Sequence, residues 1–200
     1  METNIQEYRD NNFKVINSQF HYSSSDKVYR NMITDNLTGF FFNKGLHIYG
    51  SNIENKYDNV AFINDFLNDS FGVLFEGYTA FACDIFGNQF VFSSKGIELF
   101  NIETSDKVFI SNNFSLWLTE IEKEKDYYFG LELLKEWEIL NSNLSYNERL
   151  TPKIPFILNG EYECSNLYAG DLFKILSFNA SIAKQIVNLP DGTSFKIVIN

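Results

Sequence analysis

The sequence predicts an α+β fold in which a central antiparallel β-sheet is flanked by helices. Three observations carry that expectation. Residues 71–110 hold four or five short runs rich in Phe, Val, Ile and Tyr, each closed by turn residues. Within them Phe81, Cys83 and Ile85 alternate with Ala82, Asp84 and Phe86, the period of two that a strand imposes. Just beyond, Phe114, Trp117, Leu118 and Ile121 recur at i, i+3, i+4 and i+7, one apolar stripe of a helix laid against a core. The sheet is expected to be a meander of five to six strands. The 200 residues are expected to make one domain, with 141–200 as a C-terminal extension packed on it.

In chain order, residues 4–16 read as a short helix with Ile5, Tyr8 and Asn12 on one side. Ser23, Ser24, Ser25 and Asp26 form an N-cap cluster for a helix whose stripe is Val28, Tyr29, Met32 and Ile33, and Gly39 is the expected C-terminal glycine. Phe40–Phe42 and Leu46–Tyr49 flank Asn43-Lys44-Gly45 as a hairpin. A second helix is expected over 59–68, with Phe62, Ile63, Phe66 and Leu67 inward. In the meander, Gly87-Asn88 and Ser94-Lys95-Gly96 supply turn residues that tolerate positive φ, and Glu103–Asp106 turns once more. Ile97, Leu99 and Asn101 share one strand face.

Ser111-Asn112-Asn113 caps the helix that carries Trp117, whose burial there makes it a core anchor. Leu133, Leu134, Trp137 and Leu140 stripe a fourth helix, with Gly130 as a break between the two. A polar connector spans 141–150, Pro152 and Pro155 frame an extended segment, and Phe156-Ile157-Leu158 reads as a buried strand closed by an Asn159-Gly160 turn. Helices over 167–176 and 180–188, a Pro190-Asp191-Gly192 turn and a last strand through Phe195, Ile197 and Ile199 complete the expectation.

Composition bounds the function. The net charge is −10 and the pI near 4.6. An acidic surface disfavours nucleic acid, whose phosphates need cations, and it disfavours anionic membranes. It suits a basic protein partner through electrostatic steering. No window approaches 18 consecutive apolar residues, and the first dozen residues lack the basic and apolar regions of a signal peptide, so a cytoplasmic protein is expected.

The catalytic and metal-binding vocabulary is sparse. His21 and His47 lie far apart, and no H-x-x-x-H or calcium loop occurs, so no metal site and no cofactor is expected. There is no Walker loop, no G-x-S-x-G and no G-x-G-x-x-G. Cys83 and Cys164 have no local partner; Cys83 reads as a buried reduced thiol, and a bridge between the two is left to geometry. His47 alternates with Leu46 and Ile48, a position from which it can face solvent. Asp84 interrupts an apolar strand just before a turn, and is expected to accept bonds from backbone N–H groups there.

The charge is uneven. Residues 119–138 carry seven acids and three bases, a net of −4, on helices whose other faces hold Trp117, Leu118, Leu133 and Trp137. Glu120, Glu122, Glu124 and Asp126 are the candidate partner-binding acids, with Tyr127 and Tyr128 as candidate anchors. A second acidic stretch, 51–70, sets Glu54, Asp58, Asp65 and Asp69 against Lys56 alone, and these acids too are expected to point to water.

Phe81-Ala82-x-Asp84-x-Phe86-Gly87-Asn88-Gln89-Phe90, followed by Ile97, Glu103-Thr104 and Phe114-x-x-Trp117-Leu118, resembles the Smi/Knr family of the SUKH superfamily. The 39–50 hairpin and Arg149-Leu150-x-Pro152-Lys153-Ile154-Pro155-Phe156 resemble one bacterial branch of it, so the likeness spans residues 25–200. One departure is Ser105, where the family has a glycine after Glu-Thr. The resemblance implies an antiparallel sheet flanked by helices and carries over no catalytic residue. It implies a non-enzymatic bacterial immunity protein that binds and neutralises a cognate toxin, a basic nuclease domain being one such toxin. The alternatives are a regulatory scaffold similar to the fungal cell-wall synthesis regulators of the family and, more remotely, a hydrolase using Asp84 and Glu103.

Overall fold

The computed structural model describes residues 5–14, 26–190, 192, 193 and 196. Among these residues seven strands form one sheet, β1 (Arg9–Lys14), β2 (Gly39–Phe41), β3 (Leu46–Ile48), β4 (Thr79–Asp84), β5 (Gln89–Ser93), β6 (Gly96–Phe100) and β7 (Lys107–Ser111). Spatial order equals chain order and every pair is antiparallel. The helices are α1 (Lys27–Thr34), α2 (Val60–Phe71), α3 (Phe114–Lys123), α4 (Lys125–Phe129), α5 (Leu131–Leu140) and α6 (Leu172–Ile186). A second sheet pairs β8 (Glu148–Pro152) with β9 (Leu167–Asp171), antiparallel. The fold is α+β.

The central strands are buried on both faces because helices cover both. One face packs Phe81, Phe90 and Ile97 under α1 and α3; the other packs Cys83, Val91 and Phe100 under α2 and α6. A third cluster joins Ile85 to Leu134 and Trp137 of α5 and to Leu150 and Leu167 of the small sheet. Trp117 is fully buried, with its ring edge-on to Phe81 at 4.8 Å and to Phe90 at 5.2 Å. Burial of each such side chain contributes about 1.5–3 kcal/mol, so these clusters are the main cohesive term.

Local chemistry sets the helix starts. Asp26 caps α1, Asn59 α2, Asn113 α3 and Asp171 α6, each side chain accepting from backbone N–H groups of the first turn. Gly130 stands in the left-handed region at φ 58 and turns α4 into α5. A Cβ there would lie 2.9 Å from the Tyr162 hydroxyl and 3.1 Å from Ile85 Cδ1 and Phe86 Cε2, so a side chain would be strained in φ and would crowd its neighbours.

Several expectations are corrected. The segment expected as a helix over 4–16 is a 3-10 turn at Ile5–Tyr8 followed by β1, because β2 offers ladder partners that outweigh a weak helical pattern. Gly39 does not end α1; Asp35 does, and Gly39 opens β2. Phe62 is 42% exposed and Leu140 68% exposed, each having been expected inside. Phe156–Leu158 is a 3-10 turn closed by Asn159 at φ 63. Residues 167–171 are strand, paired to β8, and α6 runs unbroken to Ile186. Asn179 is accommodated inside it because its amide donates to Ile175 O at 3.1 Å. Ser23–Ser25, His21 and the expected last strand lie outside the described residues, apart from Lys196.

Candidate functional site

The chemistry-bearing residues that lie scattered in sequence meet on the α2–α6 face of the sheet. Strand register does this. Phe40 pairs with His47, His47 with Cys83, Cys83 with Gln89 and Gln89 with Phe100, a single row across β2 to β6. Directly opposed residues share a face with Cβ atoms about 4.5–5.5 Å apart. His47 is fully buried, which corrects the expectation that it faces solvent. Its ring stacks on Phe40 at 4.1 Å.

Two long connections close the row from above. The loop before α2 brings Asp58, whose Oδ1 lies 2.7 Å from His47 Nε2. The start of β8 brings Arg149, whose Nη2 lies 2.7 Å from His47 Nδ1 and whose Nε donates to Cys83 Sγ at 3.4 Å. A guanidinium only donates, so Nδ1 accepts and Nε2 carries the ring hydrogen and donates to Asp58. Asp58 Oδ2 also accepts from the Tyr146 hydroxyl and from Asn55 Nδ2 at 3.0 Å. The guanidinium packs over Phe40 at 5.0 Å. Beside it, Tyr49 donates to Gln89 Oε1 at 2.9 Å.

Electrostatics follow from burial. Burial pushes the Cys83 thiol up, and the Arg149 guanidinium and His47 more than offset it, so the thiol lies below its ordinary value. Burial also holds the Tyr49 phenol well above its usual range, as it does Tyr146 beside Asp58. Cys83 and Cys164 are both free thiols. Asp58, expected at the surface, is 1% exposed, because its carboxylate is taken up by His47, Tyr146 and Asn55.

Asp84 stands where the sequence places it. Its Oδ1 accepts from Phe86 N at 2.8 Å and Asn88 N at 2.9 Å, and its Oδ2 from Asn88 Nδ2 at 2.9 Å. Burial raises its carboxyl to about 6, against the opposite pull of those donors and of Arg149. Glu103 is buried too and accepts from Ile157 N at 3.0 Å. Both carboxylates are occupied with backbone N–H groups. Ser105 adopts φ 64, a left-handed turn position filled by a serine.

The partner-face residues lie along α3 and α4. Tyr127 is 77% exposed and meets Tyr128 edge-on at 5.2 Å. Tyr128 is raised by burial first and then by Glu120 and Glu124, which places those acids around it. Lys123 bonds Glu120 at 3.3 Å. Asp126 is exposed, whereas Glu122 is half-buried and accepts from the Tyr8 hydroxyl at 3.3 Å. Glu120, Glu124, Tyr127 and Tyr128 therefore form one group, and Glu122 leans toward the N-terminal segment.

Sequence reasoning missed Arg149, Tyr146 and Asp58 as companions of His47. Their separations, 11 to 102 residues, leave no local pattern to detect. Separately, a cavity of about 990 Å³ opens between Tyr78, Ser105, Lys107, Ile157 and the C-terminal end of α6. Among the described residues no group of three or more His, Cys, Asp or Glu could hold a metal ion, and no helix is long and apolar enough to cross a membrane.

No family model matches the chain, and no curated protein matches it. Among solved structures the chain is similar to Atu4351 from Agrobacterium tumefaciens, at 12% identity over 84% of this chain and 85% of that one, with a TM-score of 0.47.

Proposed function

We propose that this chain is a non-enzymatic binding protein of the immunity type, which neutralises a basic toxin domain by covering it with the α3–α4 face. The observation that supports this reading most is the division of its polar chemistry. The imidazole, thiol and guanidinium that catalysis could use are locked on one another inside the core, whereas Tyr127 and the acids Glu120, Glu124 and Asp126 stand at the surface. A rigid exposed aromatic beside like charges is interface material, and the charges steer an oppositely charged partner into contact. The net charge of −10 extends that steering over the whole molecule. The Smi/Knr-like wording of the meander and the cytoplasmic location expected of the chain fit the same role.

The test has two stages. The chain is used to capture partners from its source cells, in parallel with a variant carrying Glu120→Lys, Glu122→Lys, Glu124→Lys and Asp126→Lys. A captured protein is then expressed alone and with each form. The reading expects a toxic partner that is captured and silenced by the native chain and escapes the variant. A toxic partner silenced equally by both forms removes the α3–α4 face from the model. A non-toxic cellular partner turns the reading toward a regulatory scaffold.

A further inference from the structure

The protonation state of His47 is tied to the position of the small sheet. We propose that Asp58, His47 and Arg149 form an acid-sensitive clamp, in which protonation of His47 at Nδ1 displaces Arg149 and loosens β8 and β9 from the central sheet.

The geometry sets the argument. The Nδ1 lone pair is the acceptor for Arg149 Nη2 at 2.7 Å. A proton on Nδ1 removes that acceptor, sets two donors face to face and adds a second positive charge at contact distance. Both groups are buried, so water cannot screen them. Asp58 lies on the far side of the ring, at Nε2, and favours the imidazolium without relieving the contact with Arg149. Arg149 is the movable member. His47 is held by β3 pairing and by Phe40, and Asp58 by Tyr146 and Asn55.

Every ionisable group around the ring bears on the same event. Cys83 from β4 faces both His47 and Arg149, Tyr49, just after β3, lies beside Cys83, and Tyr146 reaches Asp58 from the segment before β8. Asp84 acts on Arg149 from the end of β4. Arg149 also donates to Tyr146 O and Glu148 O, so its displacement pulls on the backbone that leads into β8. Leu150 N to Ile85 O at 2.8 Å and the apolar contacts of Leu150 and Leu167 remain. The expected outcome is therefore local loosening, not loss of the fold.

The experiment is amide hydrogen exchange on the full chain, corrected for intrinsic rates, at about pH 7.5 and about pH 5, the interval across which imidazoles gain protons. His47→Gln is the key variant, because its amide donates to Asp58 and accepts from Arg149 but does not titrate. In the native chain, protection of 144–152 and 167–171 should fall about tenfold relative to β5 and β6 on acidification, and in His47→Gln it should hold. Equal loosening in both, or none in the native chain, overturns the clamp. Asp84→Asn serves as the control for Asp84, whose carboxyl burial raises to about 6. Should His47→Gln fail to fold, the His47 ring is followed by NMR in the native chain, with His21→Gln for assignment. A ring that stays neutral until global unfolding overturns the proposal, and a ring that protonates in step with the loss of β8–β9 protection supports it.

Discussion

Asp58 and Asp126 are both aspartates beside a tyrosine, and the fold uses them in opposite ways. Asp58 is buried, holds His47, Tyr146 and Asn55, and through His47 meets Arg149 from 91 residues further along the chain. Asp126 stands in water next to Tyr127 on a short helix. In the interior, each charge depends on its partners, since removing one leaves the others unpaired in a medium that cannot solvate them. At the surface, each charge is solvated singly and acts at a distance, through a field that salt screens within about 8 Å at physiological strength. The difference teaches that acidity in this chain serves two ends, cohesion inside and recruitment outside, and that burial alone separates them.

The largest expected effect breaks the interior half of that contrast. Asp58→Ala should cost about 3–5 kcal/mol in urea unfolding, the penalty for orphaning a buried charge partner, with Asp58→Asn milder because its amide oxygen still accepts from His47. Loss of less than about 1 kcal/mol for the alanine would show that the relay contributes no cohesion. Trp117→Ala should cost a similar 3–5 kcal/mol, roughly, and provides an apolar yardstick on the opposite face of the sheet. An unchanged denaturation midpoint would remove Trp117 from the core.

A smaller effect comes from Asp84. Its carboxyl is raised to about 6 by burial, against about 3.9 in an unfolded chain. The folded state thus binds this proton more tightly than the unfolded state does. The stability it contributes is fully present below about pH 4 and is lost as the pH rises through about 6, an amount up to about 3 kcal/mol. Asp84→Asn should flatten the slope of unfolding free energy between those two values. A slope that keeps its size in the variant assigns the proton elsewhere. Because this trend favours the fold on acidification, it runs against the local loosening expected at His47, and the two separate by region as well as by sign.

The smallest expected effect on stability sharpens the exterior half. Lysine at Glu120, Glu122, Glu124 and Asp126 should move the unfolding free energy by no more than about 0.5 kcal/mol per site, since none of these residues lies in the core. The same change should slow association with a basic partner and remove its salt dependence. An association rate unchanged in value and in salt dependence would leave the α3–α4 acids as a solvated helix face.

The sequence by itself determined the parts whose physics is local. The stripe through Phe114, Trp117, Leu118 and Ile121, the caps at Asp26 and Asn113 and the Asp84 turn all follow from neighbours a few residues apart, and all stand in the structure, whereas the strict alternation expected around Cys83 is broken by a register shift between Ala80 and Ala82 that puts Phe81 and Cys83 on opposite faces. Where long-range pairing competes with a weak local preference, tertiary structure decided. β1 and β9 are strands because β2 and β8 present ladder partners, and α6 is one helix because its polar interruption, Asn179, satisfies itself. The relay is the extreme case. Strand register sets His47 against Cys83, and two distant connections lay Asp58 and Arg149 on them. No periodicity encodes that meeting, because hydrogen bonds and ion pairs depend on separation in space, and only the folded chain sets that separation.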